Sequence, residues 1–215
     1  MSPLLAAEHD VDLWWSSVPE IGGTSAATRG SSVESRRSQA WAVCASVVRS
    51  YEPRGRVARV PGARPAVSGT EFEVSLTYAG SIVAIAVSRR RPIGIDAESL
   101  DVRIDGALAR HALTVRELEA LERLHPSRRR EAFLRAWVRK EAVLKAAGVG
   151  LQVEPSSVET GIGRLSAASV VVPGAGSFRL VDLVLPGFAC ALAAGGTAPA
   201  HVRWHRAARP TDGAS

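Results

Sequence analysis

The sequence predicts an α+β protein of two similar lobes, each a small, mostly antiparallel sheet packed against a long helix, with a cleft between the lobes. Two observations predict it. Two long stretches, Arg36 to Tyr51 and Ser127 to Ala147, place apolar residues at three- and four-residue steps, and each half of the chain also carries several short apolar or β-branched runs. Halves of matching content suggest a pseudo-twofold arrangement, although no direct sequence repeat accompanies it. With 215 residues, 46% hydrophobic but only 5% aromatic, the core must be built from small and branched aliphatic side chains.

Taken in order, Val11 to Trp15 reads as a strand, and the Gly/Ser/Thr-rich stretch from Gly22 to Ser35 as a mobile loop. In the first helix, Ala40, Trp41, Cys44, Val47 and Val48 form the apolar stripe, and Pro53 stops it. Strands follow at Arg56 to Val60, Phe72 to Tyr78 and Ser81 to Val87, the last apolar on both faces and so expected to be central. Arg89, Arg90 and Arg91 read as a solvated turn joining the lobes, before a strand at Ile93 to Ala97. A helix at Ile104 to Leu113 is followed by Thr114 and Glu117, spaced as a capping box for a new helix. Ser127 is the expected cap of the long helix, and Gly148 and Gly150 its stop. Strands are predicted at Leu151 to Val158, Ser169 to Val172, Phe178 to Leu185, Phe188 to Ala194 and His201 to Trp204. The expected division is an N-terminal lobe at 1–90, a C-terminal lobe at 91–205 and a flexible tail at 206–215.

A formal charge of +6 and a pI near 10.3 favour an anionic partner: nucleic acid, an acidic protein or a polyphosphate. No DNA- or RNA-binding motif supports the first of these, so a basic nucleic-acid binder is the weaker alternative and no nucleic acid is expected as partner. With no signal-like start and no run of about 18 apolar residues, the chain is expected to be cytoplasmic, without a membrane partner. Cys44 and Cys190 lack any ligand spacing and read as buried thiols.

The chemistry concentrates in two segments. On the long helix, Phe133, Trp137, Glu141 and Leu144 fall along one stripe, so a carboxylate stands in an apolar face and needs a partner. Lys145, four residues on, is one candidate for a plain surface pair. In Ile93-Gly94-Ile95-Asp96-Ala97-Glu98, Asp96 and Glu98 point to the same side of an extended chain, where two carboxylates repel unless a cation intervenes. Asp96, Glu98 and Glu141 together form the all-oxygen donor set that suits Mg²⁺. Gly94 either lets another backbone or a ligand approach the strand or marks a bulge.

Together, Pro92-Ile93-Gly94-Ile95-Asp96-Ala97-Glu98 and Trp137-Val138-Arg139-Lys140-Glu141-Ala142-Val143-Leu144-Lys145 resemble the paired signature of 4′-phosphopantetheinyl transferases of the Sfp type. The separation of 45 residues between Asp96 and Glu141, the Leu113-Thr114-Val115-Arg116-Glu117 segment and Leu185-Pro186-Gly187-Phe188-Ala189 also suit that family. The resemblance runs from about Glu71 to Trp204.

It implies transfer of the 4′-phosphopantetheine group from coenzyme A to a serine of an acyl or peptidyl carrier protein, releasing adenosine 3′,5′-bisphosphate. By the same resemblance, Asp96, Glu98 and Glu141 would bind Mg²⁺, and Lys140 and Lys145 the phosphates. Glu141, or Glu117 through water, would take the serine proton. Thr77 and Tyr78 stand where the family has a Ser/Thr-His pair contacting the 3′-phosphate, and Tyr78 replaces the histidine. Arg56, in Gly55-Arg56-Val57, stands where a Gly-Arg/Lys-Pro contact is common, without the proline, and Arg37 is a further candidate. The lobes of one chain would complete the cleft, so a monomer is expected. The alternative within this class is a non-catalytic homologue that binds coenzyme A or a carrier.

Overall fold

The structure is a computed structural model that describes residues 10–17, 26–59, 64–89, 91–104, 106–163 and 168–207. Strand β1 (Val11–Ser17) and helix α1 (Ala26–Tyr51) are followed by the short strands β2 (Arg56–Ala58) and β3 (Ala66–Ser68), then β4 (Glu73–Ala79), β5 (Ile82–Ser88) and β6 (Ile93–Ser99). Helices α2 (Gly106–Ala112), α3 (Val115–Glu122) and α4 (Pro126–Ala147) come next. Two short 3₁₀ turns precede β7 (Ala168–Val172), β8 (Gly176–Leu185), β9 (Phe188–Gly195) and β10 (Val202–Arg206).

Ten residues of α1 lie upstream of its expected start, within the stretch read as a loop. Among 26–35 only Gly30 strongly disfavours helix, so a helix nucleated downstream can propagate through it. Helix α4 starts at Pro126 with His125 rather than Ser127 as its cap, because proline at the first helical position loses no hydrogen bond there. Its end is as expected, Gly148 taking a left-handed φ of 70°. Leu151 to Val158 is not a strand but the two 3₁₀ turns, Gly150–Gln152 and Pro155–Ser157. Pro155 has no N–H for a ladder, and its carbonyl is taken by a side chain of α4. The residues from Arg206 are not all tail, since Arg206 ends β10 and the Ala207 N–H donates to Trp15 O at 2.8 Å. Residues 208–215 lie outside the described residues.

The first four-stranded sheet has the order β10-β1-β5-β4, antiparallel except for the parallel pair β1–β10, the second is the antiparallel β6-β9-β8-β7, and β2 and β3 form a small antiparallel pair of their own. β5 is interior and buried along its whole length, as its apolar run predicts. The elements stack in layers. α1 covers one face of the first sheet through Val43, Val47, Val83 and Ile85, and the sheets meet through Leu13, Ala84, Ala86, Ile95 and Leu192. α4 covers the far face of the second sheet through Val138, Ala142, Leu180 and Ala191. Alanine recurs wherever layers touch, which explains how so few aromatics fill the core. Cys44 and Cys190 are buried and free, and burial pushes the Cys44 thiol up to about 12. No described helix is long and apolar enough to cross a membrane.

Of the arginines expected in a solvated turn, Arg89 is exposed, whereas Arg91 is largely covered. Arg89 lies over the Phe72 ring at 4.4 Å, and Arg91 pairs with Asp10 and donates to Ala198 O at 2.9 Å and Pro199 O at 2.8 Å. Arg90 lies outside the described residues. Asp12, fully buried on β1, accepts from Tyr51 of α1 at 2.6 Å and from Arg203 of β10 at 2.7 Å, so the last strand is tied to the first helix through one carboxylate.

β6 is the edge strand of the second sheet, and β4 of the first sheet covers that edge with side chains. Ser75 Oγ accepts from Ile95 N at 3.0 Å, and Thr77 Oγ1 from Ala97 N at 3.2 Å, so edge donors are satisfied across the seam. On β6, Gly94 lies directly under α4. A Cβ there would stand 2.0 Å from Ala142 O and 2.5 Å from Ala146 N. This is the close backbone approach that one reading of Gly94 foresees. Both obstacles are backbone, so Gly94→Ala must push α4 off β6. We expect a loss of about 1–3 kcal/mol in urea unfolding, and a parental unfolding midpoint would contradict the contact.

Candidate active site

Positions 94, 96 and 98 share one face of β6, and the absence of a side chain at Gly94 lets α4 bring Glu141 and Lys145 over Asp96 and Glu98. Asp96 is 7% exposed. Its Oδ1 accepts from Lys145 Nζ at 2.6 Å and from Thr77 Oγ1 at 3.1 Å, while Lys145 also reaches Ile95 O at 3.2 Å. The i,i+4 pair between Lys145 and Glu141 is therefore not the ammonium's hydrogen-bonded contact, which goes to Asp96 instead. Glu98 and Glu141 are half-buried. Burial, then the negative charge of Asp96, raises the pKa of both, with Lys145 opposing, and Glu141 adds to the rise at Glu98.

A cleft of about 270 Å³ opens at this point, lined by Asp96, Glu98, Lys145, Thr77, Tyr78 and the arginines Arg37, Arg59 and Arg64, with Trp41 and Pro65. Arg37, Thr77, Tyr78, Asp96, Glu98 and Lys145 were expected here from the sequence. Glu141 is beside them, sensed by Glu98 through charge. Arg56 is exposed on β2 and is not among the lining residues. Arg59, Arg64 and Pro65 also line the cleft and were not expected there, although Arg64 is followed by the proline found lacking after Arg56. Arg64 also pairs with Glu73 at 2.5 Å.

Lys140 and Glu117 are elsewhere. Lys140 is fully buried, paired with Glu117 at 2.6 Å and donating to Pro155 O at 2.9 Å and to Val158 O. Its three N–H groups are used, which leaves no donor for a phosphate. Glu117 is 1% exposed. It forms the capping box with Thr114, and its Oε1 accepts from Thr160 N and Gly161 N, each at 2.8 Å. Burial raises its pKa, but the hydrogen bond and charge of Lys140 and the backbone donors outweigh that and hold it below the ordinary 4.5. A carboxylate so engaged is no proton acceptor. With Arg139, also fully buried and paired with Asp182 at 2.5 Å while donating to Gly161 O at 3.0 Å, this pair fastens the segment after the 3₁₀ turns to α4.

Could a divalent cation belong here? Among the described residues, no three His, Cys, Asp or Glu side chains stand arranged to hold one. The donor chemistry nevertheless fits: the charge of Asp96 raises the pKa of both Glu98 and Glu141, Glu141 adds to the rise at Glu98, and Lys145 occupies a single oxygen of Asp96. A hard cation would relieve the remaining repulsion.

Glu117→Ala would leave the Lys140 ammonium buried without its partner. At neutral pH we expect a loss of about 3–5 kcal/mol in chemical denaturation. A carboxyl group whose folded pKa is depressed stabilises above its unfolded pKa. The deficit should therefore shrink as the pH falls below 4.5. A variant as stable as the parent at pH 7 would contradict this role.

Residues 92–192 match the pattern of the 4′-phosphopantetheinyl transferase superfamily. The chain is 38% identical over 102 residues to the 4′-phosphopantetheinyl transferase HetI of Nostoc sp., covering 47% of this chain and 41% of that protein. It is 33% identical over 87 residues to the 4′-phosphopantetheinyl transferase AcpT of Salmonella typhi, covering 40% of this chain and 45% of that protein. The aligned part is thus under half the length of each relative. The matched segment, 92–192, carries β6, α4 and the carboxylates Asp96, Glu98 and Glu141, and it is this segment that is similar to the 4′-phosphopantetheinyl transferase superfamily.

Proposed function

We propose that the protein transfers the phosphopantetheine arm of coenzyme A to a serine of an acyl or peptidyl carrier protein, with Mg²⁺ held by Asp96, Glu98 and Glu141. The observation that carries this reading is one cleft in which carboxylates of β6 face Lys145 and three arginines. Such a surface offers oxygen ligands for a hard cation and guanidinium donors for phosphate oxygens side by side. The ion, when bound, supplies charge neutralisation at the diphosphate.

In the proposed transfer, the serine Oγ bonds to the phosphorus bearing the pantetheine arm. The bond from that phosphorus to the bridging oxygen breaks, and adenosine 3′,5′-bisphosphate leaves. Arg37, Arg59 and Arg64 hold its phosphates, a role for which fixed guanidinium forks suit better than single ammonium charges. The Tyr78 hydroxyl, in the same lining, donates a hydrogen bond but carries no charge. Lys145 offsets charge developing near Asp96. Glu141 accepts the serine proton.

The net charge of +6 favours encounter with an acidic carrier. We read the two sheets, each with its long helix outside, as the two lobes of one monomer acting in the cytoplasm, with β10 from the end of the chain returning to the first sheet rather than staying with the 91–205 half. Incubation with coenzyme A, Mg²⁺ and a panel of apo carriers, read by intact mass, should show one carrier gaining one phosphopantetheine. Glu141→Ala should lose at least about a hundredfold in rate while melting near the parent. Carriers that all stay unmodified, or a Glu141→Ala protein working at the parental rate, would contradict the assignment.

A further inference from the structure

Thr77 lines the cleft together with Tyr78, in the position where a contact to the nucleotide was expected. Its surroundings describe a different task. It is 5% exposed, and its single hydroxyl hydrogen points at Asp96 Oδ1, 3.1 Å away, while Thr77 Oγ1 itself accepts from Ala97 N at 3.2 Å. The hydroxyl donor is therefore committed to a carboxylate.

The two side-chain groups bonded to Asp96, Thr77 from the first sheet and Lys145 from α4, both meet Oδ1. Neither uses Oδ2. The carboxylate is thus fixed in rotation by one oxygen, and the other is left to face a ligand. The anchor comes from β4, so the seam between the sheets is also the orienting element of the site.

The geometry points to Thr77 as a positioning residue for Asp96, acting on the cation site rather than on the nucleotide. This rests on the proposed reading of Asp96, Glu98 and Glu141 as the Mg²⁺ donor set. Partners one step behind a metal ligand typically set metal affinity by ten- to a hundredfold. Ser75 provides an internal control, since its hydroxyl serves the same seam through Ile95 N two residues away rather than meeting Asp96.

The test compares Thr77→Val, Thr77→Ser and Ser75→Ala with the parent. Two quantities are followed: the Mg²⁺ midpoint, read from transfer at saturating coenzyme A and from the Mg²⁺-dependent rise in melting temperature without coenzyme A, and the KM for coenzyme A at saturating Mg²⁺. Thr77→Val should raise the Mg²⁺ midpoint in both assays about tenfold or more and leave the coenzyme A KM within about twofold. Thr77→Ser should restore the parental midpoint, and Ser75→Ala should not shift it. If Thr77→Val does not fold, Thr77→Ala is read by the same criteria. A rise in the coenzyme A KM alone would return Thr77 to nucleotide contact, and an equal Mg²⁺ shift in Ser75→Ala would reduce it to a seam residue. Either overturns the inference while the parental transfer activity stands. A parent that neither transfers nor responds to Mg²⁺ would instead sink the functional reading beneath it.

Discussion

The site exists because one residue on β6 has no side chain. With α4 resting its backbone on Gly94, the helix is close enough for Lys145 to reach Asp96 and for Glu141 to feel the same charge. Two constraints keep the strand in place to receive it. On one side β9 supplies the full antiparallel ladder, and on the other the hydroxyls of Ser75 and Thr77 occupy edge donors. β6 is therefore clamped between two sheets and a helix, and its polar face is presented at a fixed height.

Charge is sorted by depth in this molecule. Arg139, Lys140, Glu117 and Asp182 are spent inside, in fully partnered arrangements that attach the segment around residue 160 to α4. Breaking such a pair costs far more than a surface ion pair would. Asp96, Glu98 and Glu141 are different. Burial and the charge of Asp96 raise the pKa of Glu98 and Glu141 against the pull of Lys145, and on the proposed reading a cation would complete the group.

Much of this was legible in the residues. Strand alternation put Asp96 and Glu98 on one face, and the apolar stripe marked Glu141 as a carboxylate in need of a partner. What could not be read was depth along a charged helix. Arg139 and Lys140 look like solvent-facing residues because basic side chains are usually exposed. Only the turns around Pro155, which cover them and offer carbonyls, reverse that. Arg64 escaped notice because it follows no periodic element, and Arg56 drew attention with its preceding glycine. The role of Thr77 was hidden for a related reason, since which way a buried hydroxyl donates is decided across a sheet seam that joins distant parts of the chain.

The central claim is that the carboxylates of β6 and α4 close around one divalent ion that holds a diphosphate. A crystal grown with coenzyme A and Mn²⁺ in place of Mg²⁺ tests it directly through the anomalous signal. The account predicts a single strong peak among Asp96, Glu98 and Glu141 beside the diphosphate. A diphosphate bound with Lys145 still on Asp96 and no peak among these three side chains would contradict it.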